Sequence, residues 1–134
     1  MSGQKRLLIV DDDKIHSVIY SSIAAKMQYQ VDLAESPRTA DEALRWKHYD
    51  CVILDLMLGE DPGTQVLALM SRLPVKPRVL IVTGAADDVI AEALRIGREF
   101  GLEMFGPVRK PVDVTLIRTV LRSMEIAAQS AAPA

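Results

Sequence analysis

The sequence predicts a doubly wound α/β domain, in which a parallel sheet of five strands carries five helices on its two faces. Three observations lead there. Short apolar runs such as RLLIV, CVIL and RVLIV alternate with longer segments of helical periodicity. Those runs are nearly continuous, as suits parallel strands covered on both faces. Several of them deliver a polar residue at their end, and sheets of this kind gather their carboxyl ends along one ligand-binding edge.

In chain order, the first strand is Arg6–Val10. The helix expected over Lys14–Met27 places Ile15, Val18, Ile19 and Ile23 at the spacing of one apolar stripe. Gln30–Ala34 reads as the second strand. Ser36 before Pro37 is a helix start, an N-cap with proline at the first helical position, and it leads into Arg38–Lys47. The third strand, Cys51–Leu54, is followed by a helix over Thr64–Leu73 that stops before two prolines. Arg78–Val82 is the fourth strand, and the helix Asp87–Phe100 ends at Gly101. Glu103–Val108 is the fifth. The last helix, Val112–Ala127, carries Val114, Ile117, Val120, Leu121 and Met124 on one side. One domain over residues 5–127 is expected, with 128–134 a disordered tail of small and polar residues.

Composition narrows the function. At 134 residues and 49% apolar content the chain can bury a core without disulfides, and its lone Cys51 cannot form an internal one. The net charge is −2 and the basic residues are scattered, which argues against a nucleic-acid partner. No apolar run approaches the roughly 20 residues of a membrane span. The first apolar stretch is too short for a signal-peptide core, so a cytoplasmic protein with no membrane partner is expected.

The strand ends carry the chemistry. Asp11, Asp12 and Asp13 follow the first strand, Asp55 the third and Thr83 the fourth, while Lys110 and Pro111 follow the fifth. Carboxylates meeting at one edge repel unless a hard divalent cation lies among them, and oxygen ligands with room for water suit Mg²⁺ or Mn²⁺. Asp55, alone on its strand, can attack phosphorus and form an acyl phosphate. A metal, Lys110 and the Thr83 hydroxyl can then neutralise or bond the phosphoryl oxygens, which is most of what phosphoryl transfer requires. Asp13 reads as a cap on the first helix.

The segments VDDD, VILDLML, IVTG and VRKP, in this order, resemble the receiver domain of two-component response regulators, from roughly Lys5 to Ala127. The resemblance implies a flavodoxin-like sheet of order 2-1-3-4-5. It implies a signalling switch rather than an enzyme, with Asp55 as phosphoacceptor, charged by a histidine kinase or a histidine phosphotransfer protein. Asp11 and Asp12 match the acidic pair that holds Mg²⁺ with Asp55, and the Met57 backbone carbonyl would join them. Thr83 and Lys110 match the switch hydroxyl and the site lysine, and a cis Lys110–Pro111 bond would aim the latter. Lys14, Ser17 and Tyr20 would border the kinase interface. Output would run through docking to a downstream protein, a homodimer formed on phosphorylation, or return of the phosphoryl group to another histidine as a relay shuttle.

Some positions depart from that pattern. Pro107 stands three residues before the lysine, where receivers carry a switch aromatic, and Phe105 is either core or a substitute for it. Gly59 stands where a proline is usual. Met57 and Ala85 flank the expected phosphoryl group and neither can orient a water, which predicts slow hydrolysis. The stretch GREFGLEMFGPVRKP resembles receivers attached to EAL-type phosphodiesterases, although no EAL sequence is present.

Three rival readings meet obstacles of different weight. A flavodoxin would need a glycine- and hydroxyl-rich phosphate loop where this chain has three aspartates. A haloacid-dehalogenase-type phosphatase would use Asp11 and Asp13, but it leaves Asp55 without a role and lacks a later acidic pair. A pseudo-receiver would dock without being phosphorylated.

Overall fold

The structure, a computed structural model, describes residues 4 to 131. Its elements are β1 (Arg6–Val10), α1 (Lys14–Lys26), β2 (Gln30–Ala34), α2 (Pro37–Trp46), β3 (Cys51–Leu54), β4 (Met57–Leu58), β5 (Asp61–Pro62), α3 (Thr64–Ser71), β6 (Arg78–Thr83), α4 (Asp87–Glu99), β7 (Met104–Arg109) and α5 (Val114–Ala131). The main sheet is parallel, in the order β2-β1-β3-β6-β7, which is 2-1-3-4-5 counted over its five strands. Its order reverses between β1 and β3, so Asp11 and Asp55 leave the sheet side by side at the switch point. No helix among the described residues is long and apolar enough to cross a membrane.

Strand alternation divides the core in two. Leu8, Val10, Val52, Leu54, Val79 and Ile81 pack under α2, α3 and α4. Leu7, Ile9, Ile53, Leu80, Val82 and Val108 pack under α1 and α5. Because both faces are covered, β1, β3 and β6 are apolar at nearly every position, which is why they stand out in the sequence.

The helix starts follow local chemistry. The Asp13 carboxylate caps α1 by accepting from the amides of Ile15 and His16. Ser36 and Thr39 form a reciprocal capping box at α2, with Pro37 first in the helix. At the other end of the chain α5 continues through Ala131, beyond the expected Ala127, since alanine and glutamine there favour helix. Residues 132–134 of the expected tail lie outside the described residues.

Three features differ from the sequence expectation. The buried residues of α1 are Ser17, Tyr20, Ile23 and Ala24, whereas Ile15 and Val18 of the expected stripe are 73% and 65% exposed. Burial of the large Tyr20 ring sets the rotation of the helix, and Ser17, with its hydroxyl on the Asp11 carbonyl, follows it inward. Ser17 and Tyr20 are therefore core residues and unavailable to a docking partner; only Lys14 of that trio is exposed. Second, the loop after β3 folds into the small antiparallel hairpin β4–β5, turned at Gly59 in the left-handed region.

The third difference is a β-bulge in β7. Leu80 pairs with Phe105 and Val82 with Val108, so Ile81 alone faces both Gly106 and Pro107. Gly106 has φ +95°, and a Cβ there would meet the Ile81 carbonyl oxygen at 2.8 Å. β7 is the sheet edge, where a residue without an N–H is tolerated. Both Gly106–Pro107 and Lys110–Pro111 are cis.

The bulge also bears on Phe105. It turns Phe105 to the α1–α5 side, where it packs half-buried with the cluster of Val82 and Val108. Thr83 alternates with Val82 and so lies on the other face with Ile81. Of its two readings, core or substitute switch aromatic, this packing supports the first.

Candidate functional site

Four strands deliver the site. Asp11 follows β1 and Asp55 follows β3, and both are buried; Thr83 ends β6, fully buried; Lys110 follows β7. Asp55 Oδ1 accepts from the Thr83 hydroxyl at 2.6 Å and from the Met57 amide at 3.1 Å. Asp55 Oδ2 accepts from Lys110 Nζ at 2.8 Å, and the same ammonium donates to Asp11 Oδ2 at 3.1 Å. The Thr83 oxygen in turn accepts from the Ala85 amide at 3.2 Å. One ammonium therefore bridges two buried carboxylates while one hydroxyl links the second of them to the start of the next loop.

Close backbone approach holds Asp55 in place. Gly63 lies against it so tightly that a Cβ would stand 2.3 Å from the Asp55 carbonyl oxygen and 2.7 Å from Leu56 Cα. Gly63 has an ordinary φ of −61°, so the need there is for space alone. Gly59, across the hairpin, leaves room beside Asp12, whose Oδ2 would be 3.7 Å from an added Cβ.

Charge is unbalanced at this edge. Burial raises the Asp11 carboxyl above its usual range, and the Asp13 amide and Lys110 offset that only in part. Burial pulls the Lys110 ammonium down, but its bonds to Asp55 and Asp11 prevail and raise it above the ordinary lysine value. Asp12 is exposed, and ligand atoms of Asp11, Asp12 and Asp55 lie within 4.8 Å of one another. Three carboxylates against one ammonium, all oxygen donors and open to water through Asp12, can hold a hard divalent cation.

The remaining predicted positions sort themselves by geometry. Met57 opens β4 at the rim, 55% exposed, its amide tied to Asp55. Pro111 follows Lys110 through a cis bond. Asp13 turns its carboxylate to the α1 amides, away from a pairing with Asp11, and it is Asp55 that joins Asp11. Three features of the site escape a reading of the sequence: Ser17 on the Asp11 carbonyl, the close approach of Gly63, and the outward-facing Ile15 and Val18. A glycine directly ahead of α3 is the one signal that points to the close approach. Nothing in the periodicity of α1 separates Ile15 from Ile23.

A family model described as "Response regulator receiver domain" matches residues 7–122. Among curated relatives, the alginate biosynthesis transcriptional regulatory protein AlgB of Pseudomonas syringae pv. tomato is 36% identical over 96 residues, covering 71% of this chain and 21% of that protein. The transcriptional regulatory protein ZraR of Klebsiella oxytoca is 33% identical over 99 residues, 72% of this chain and 22% of its own. The chain thus spans about a fifth of the length of these relatives. Among solved structures, the signal receiver domain of an HD domain-containing protein from Pseudomonas fluorescens superposes with a TM-score of 0.81 at 21% identity, over 97% of this chain and 93% of the other. A response regulator from Burkholderia pseudomallei, with a phosphorylated aspartic acid, calcium ion and citrate, superposes at 0.73 with 24% identity, over 95% and 73%.

Proposed function

Because the chain belongs to the response regulator receiver family, we propose that Asp55 is its phosphoacceptor, charged by a histidine kinase or a histidine phosphotransfer protein, within a receiver unit over residues 5–127. The observation that carries this reading is the hydrogen-bonded chain Thr83–Asp55–Lys110–Asp11 at the ends of four strands. An Asp55 oxygen attacks the phosphorus of a phosphohistidine, the P–N bond breaks, and the imidazole leaves with the electron pair. Lys110 already spans Asp55 and Asp11, so its ammonium follows the new charge onto a phosphoryl oxygen with little movement. Thr83 exchanges its Asp55 partner for another phosphoryl oxygen and draws on the Ala85 amide ahead of α4. Asp11, Asp12 and Asp55, with the Met57 carbonyl, would hold Mg²⁺ or Mn²⁺, which when bound neutralises charge on the phosphoryl oxygens.

Met57 and Ala85 offer no polar atom on their side chains to orient an attacking water, which supports a long-lived acyl phosphate. Such a lifetime suits either role, an adapter that docks to a downstream protein or a shuttle between histidine proteins. The likeness of GREFGLEMFGPVRKP to receivers of EAL-type regulators bears on ancestry and assigns no activity. For the donor, exposed Ile15 and Val18 with Lys14 form an apolar docking ridge on the first turns of α1, next to the acidic edge.

The test is transfer from a labelled histidine phosphotransfer protein to this chain. Wild type takes the label and keeps it beyond minutes, Asp55→Asn takes none, and Ile15→Lys takes it far more slowly while melting like wild type. Label on Asp55→Asn, or loss from wild type within seconds, contradicts the reading. A chain that never takes label is a pseudo-receiver.

A further inference from the structure

Helix α1 turns two hydroxyls inward beneath the acidic edge, one turn apart. Ser17 donates its own to the Asp11 carbonyl. Tyr20 is fully buried, and its hydroxyl has no hydrogen-bond partner among the described residues. A buried donor left without an acceptor is costly, and phenylalanine would fill the same space without that cost. The phosphoacceptor chemistry described above gives this phenol no task.

Geometry directs the hydroxyl toward Asp11. Long side chains on a helix lean toward its N-terminus, and α1 begins directly after the Asp11–Asp13 run. The Tyr20 ring lies in the cluster of Ile9, Val82 and Val108, whose strands lead to Asp11, Thr83 and Lys110. His16, one turn nearer the edge, stands almost parallel to it, with ring centroids 6.1 Å apart and planes 12° apart. Burial raises the pKa of the phenol, and the carboxylates of Asp11, Asp55 and Asp13 raise it further, Asp11 first among them. The phenol therefore keeps its proton and serves that edge as a donor.

Asp11 is where a donor falls short. In the resting arrangement its Oδ1 accepts from the Asp13 amide at 2.8 Å and its Oδ2 from Lys110 at 3.1 Å. As Lys110 moves to a phosphoryl oxygen, Asp11 Oδ2 loses that donor. We propose that the Tyr20 hydroxyl takes the place of Lys110 on Asp11 during transfer, so that Tyr20 is a positioning residue acting through Asp11. The inference rests on Asp55 being the phosphoacceptor. The new bond forms in the transition state and persists in the phosphorylated chain, whereas the resting chain lacks it. It therefore speeds uptake, and it leaves the loss of the phosphoryl group unchanged, because Lys110 stays on the phosphoryl oxygen throughout that step.

The test follows uptake and loss of the phosphoryl group by intact mass, with acetyl phosphate and Mg²⁺, for wild type, Tyr20→Phe and Asp55→Asn. Tyr20→Phe is expected to take up the adduct about tenfold more slowly, the worth of one hydrogen bond to a charged group. It is expected to lose the adduct at the wild-type rate, and to melt no lower than wild type before phosphorylation. Uptake by Tyr20→Phe at the wild-type rate overturns the proposal. So does a variant that melts lower or sheds the adduct faster, since the hydroxyl then serves the fold. Those outcomes leave Asp55 as the acceptor. A wild type without adduct, or an adduct on Asp55→Asn, removes that reading and the role of Tyr20 with it.

Discussion

Asp11 bears the strain of the site. Its buried carboxylate lies near that of Asp55 and shares one ammonium with it, and burial raises its pKa. A carboxyl raised above its unfolded value of 3.8 holds its proton longer in the folded chain. Between 3.8 and the raised value the folded state thus binds more protons than the unfolded one, and stability falls as pH rises through that window. At neutral pH the ionised Asp11 is a net liability to the metal-free protein. Asp11→Asn should therefore melt higher without divalent cations, by roughly 2–5 °C, and should show little of the rise in melting temperature expected of wild type on adding Mg²⁺, both read by calorimetry. A lower melting point in the variant would contradict this charge balance. The site residues are legible in the sequence because an acid, a hydroxyl or an ammonium directly after a buried strand has few structural reasons to be there. Phe105 stays open between two readings, because face alternation counted through Gly106 is inverted by the extra residue of the bulge.

At the scale of elements, the strands are readable and the helix orientations less so. Strands covered on both faces leave continuous apolar runs that nothing else in a short chain imitates. Helix α1 carries apolar residues on more than one face, so its buried stripe is ambiguous until Tyr20 and Ser17 are placed. Ile15 and Val18 leave the core and stand exposed beside the acidic edge. The β4–β5 hairpin is hidden because two-residue strands carry no periodicity. Gly63, which closes that hairpin onto β3, gives the sharpest test at this scale. Gly63→Ala adds a methyl where backbone already stands at 2.3 Å, and should cost about 1–3 kcal/mol in denaturant unfolding. It should also slow phosphorylation, because the backbone that must yield belongs to Asp55 itself. A variant as stable as wild type would mean that the hairpin is free to move off Asp55.

For the molecule as a whole, topology sets two poles, and the acidic one carries the candidate site. Strand order reverses between β1 and β3, and that reversal brings the acidic residues together at one edge. The helices then descend to the opposite edge, where Trp46 stands exposed at the end of α2. The first pole is visible in sequence alone, since its residues are chemically conspicuous. The second is not, because a lone tryptophan near a helix end reads as packing until its exposure is known. The central claim concerns the first pole and is tested most directly by intact mass after incubation with Mg²⁺ and acetyl phosphate, for wild type and Asp55→Asn. A single phosphoryl adduct on wild type, absent from Asp55→Asn and abolished by EDTA, is the predicted result. An adduct that persists on Asp55→Asn, or none on either protein, would contradict it.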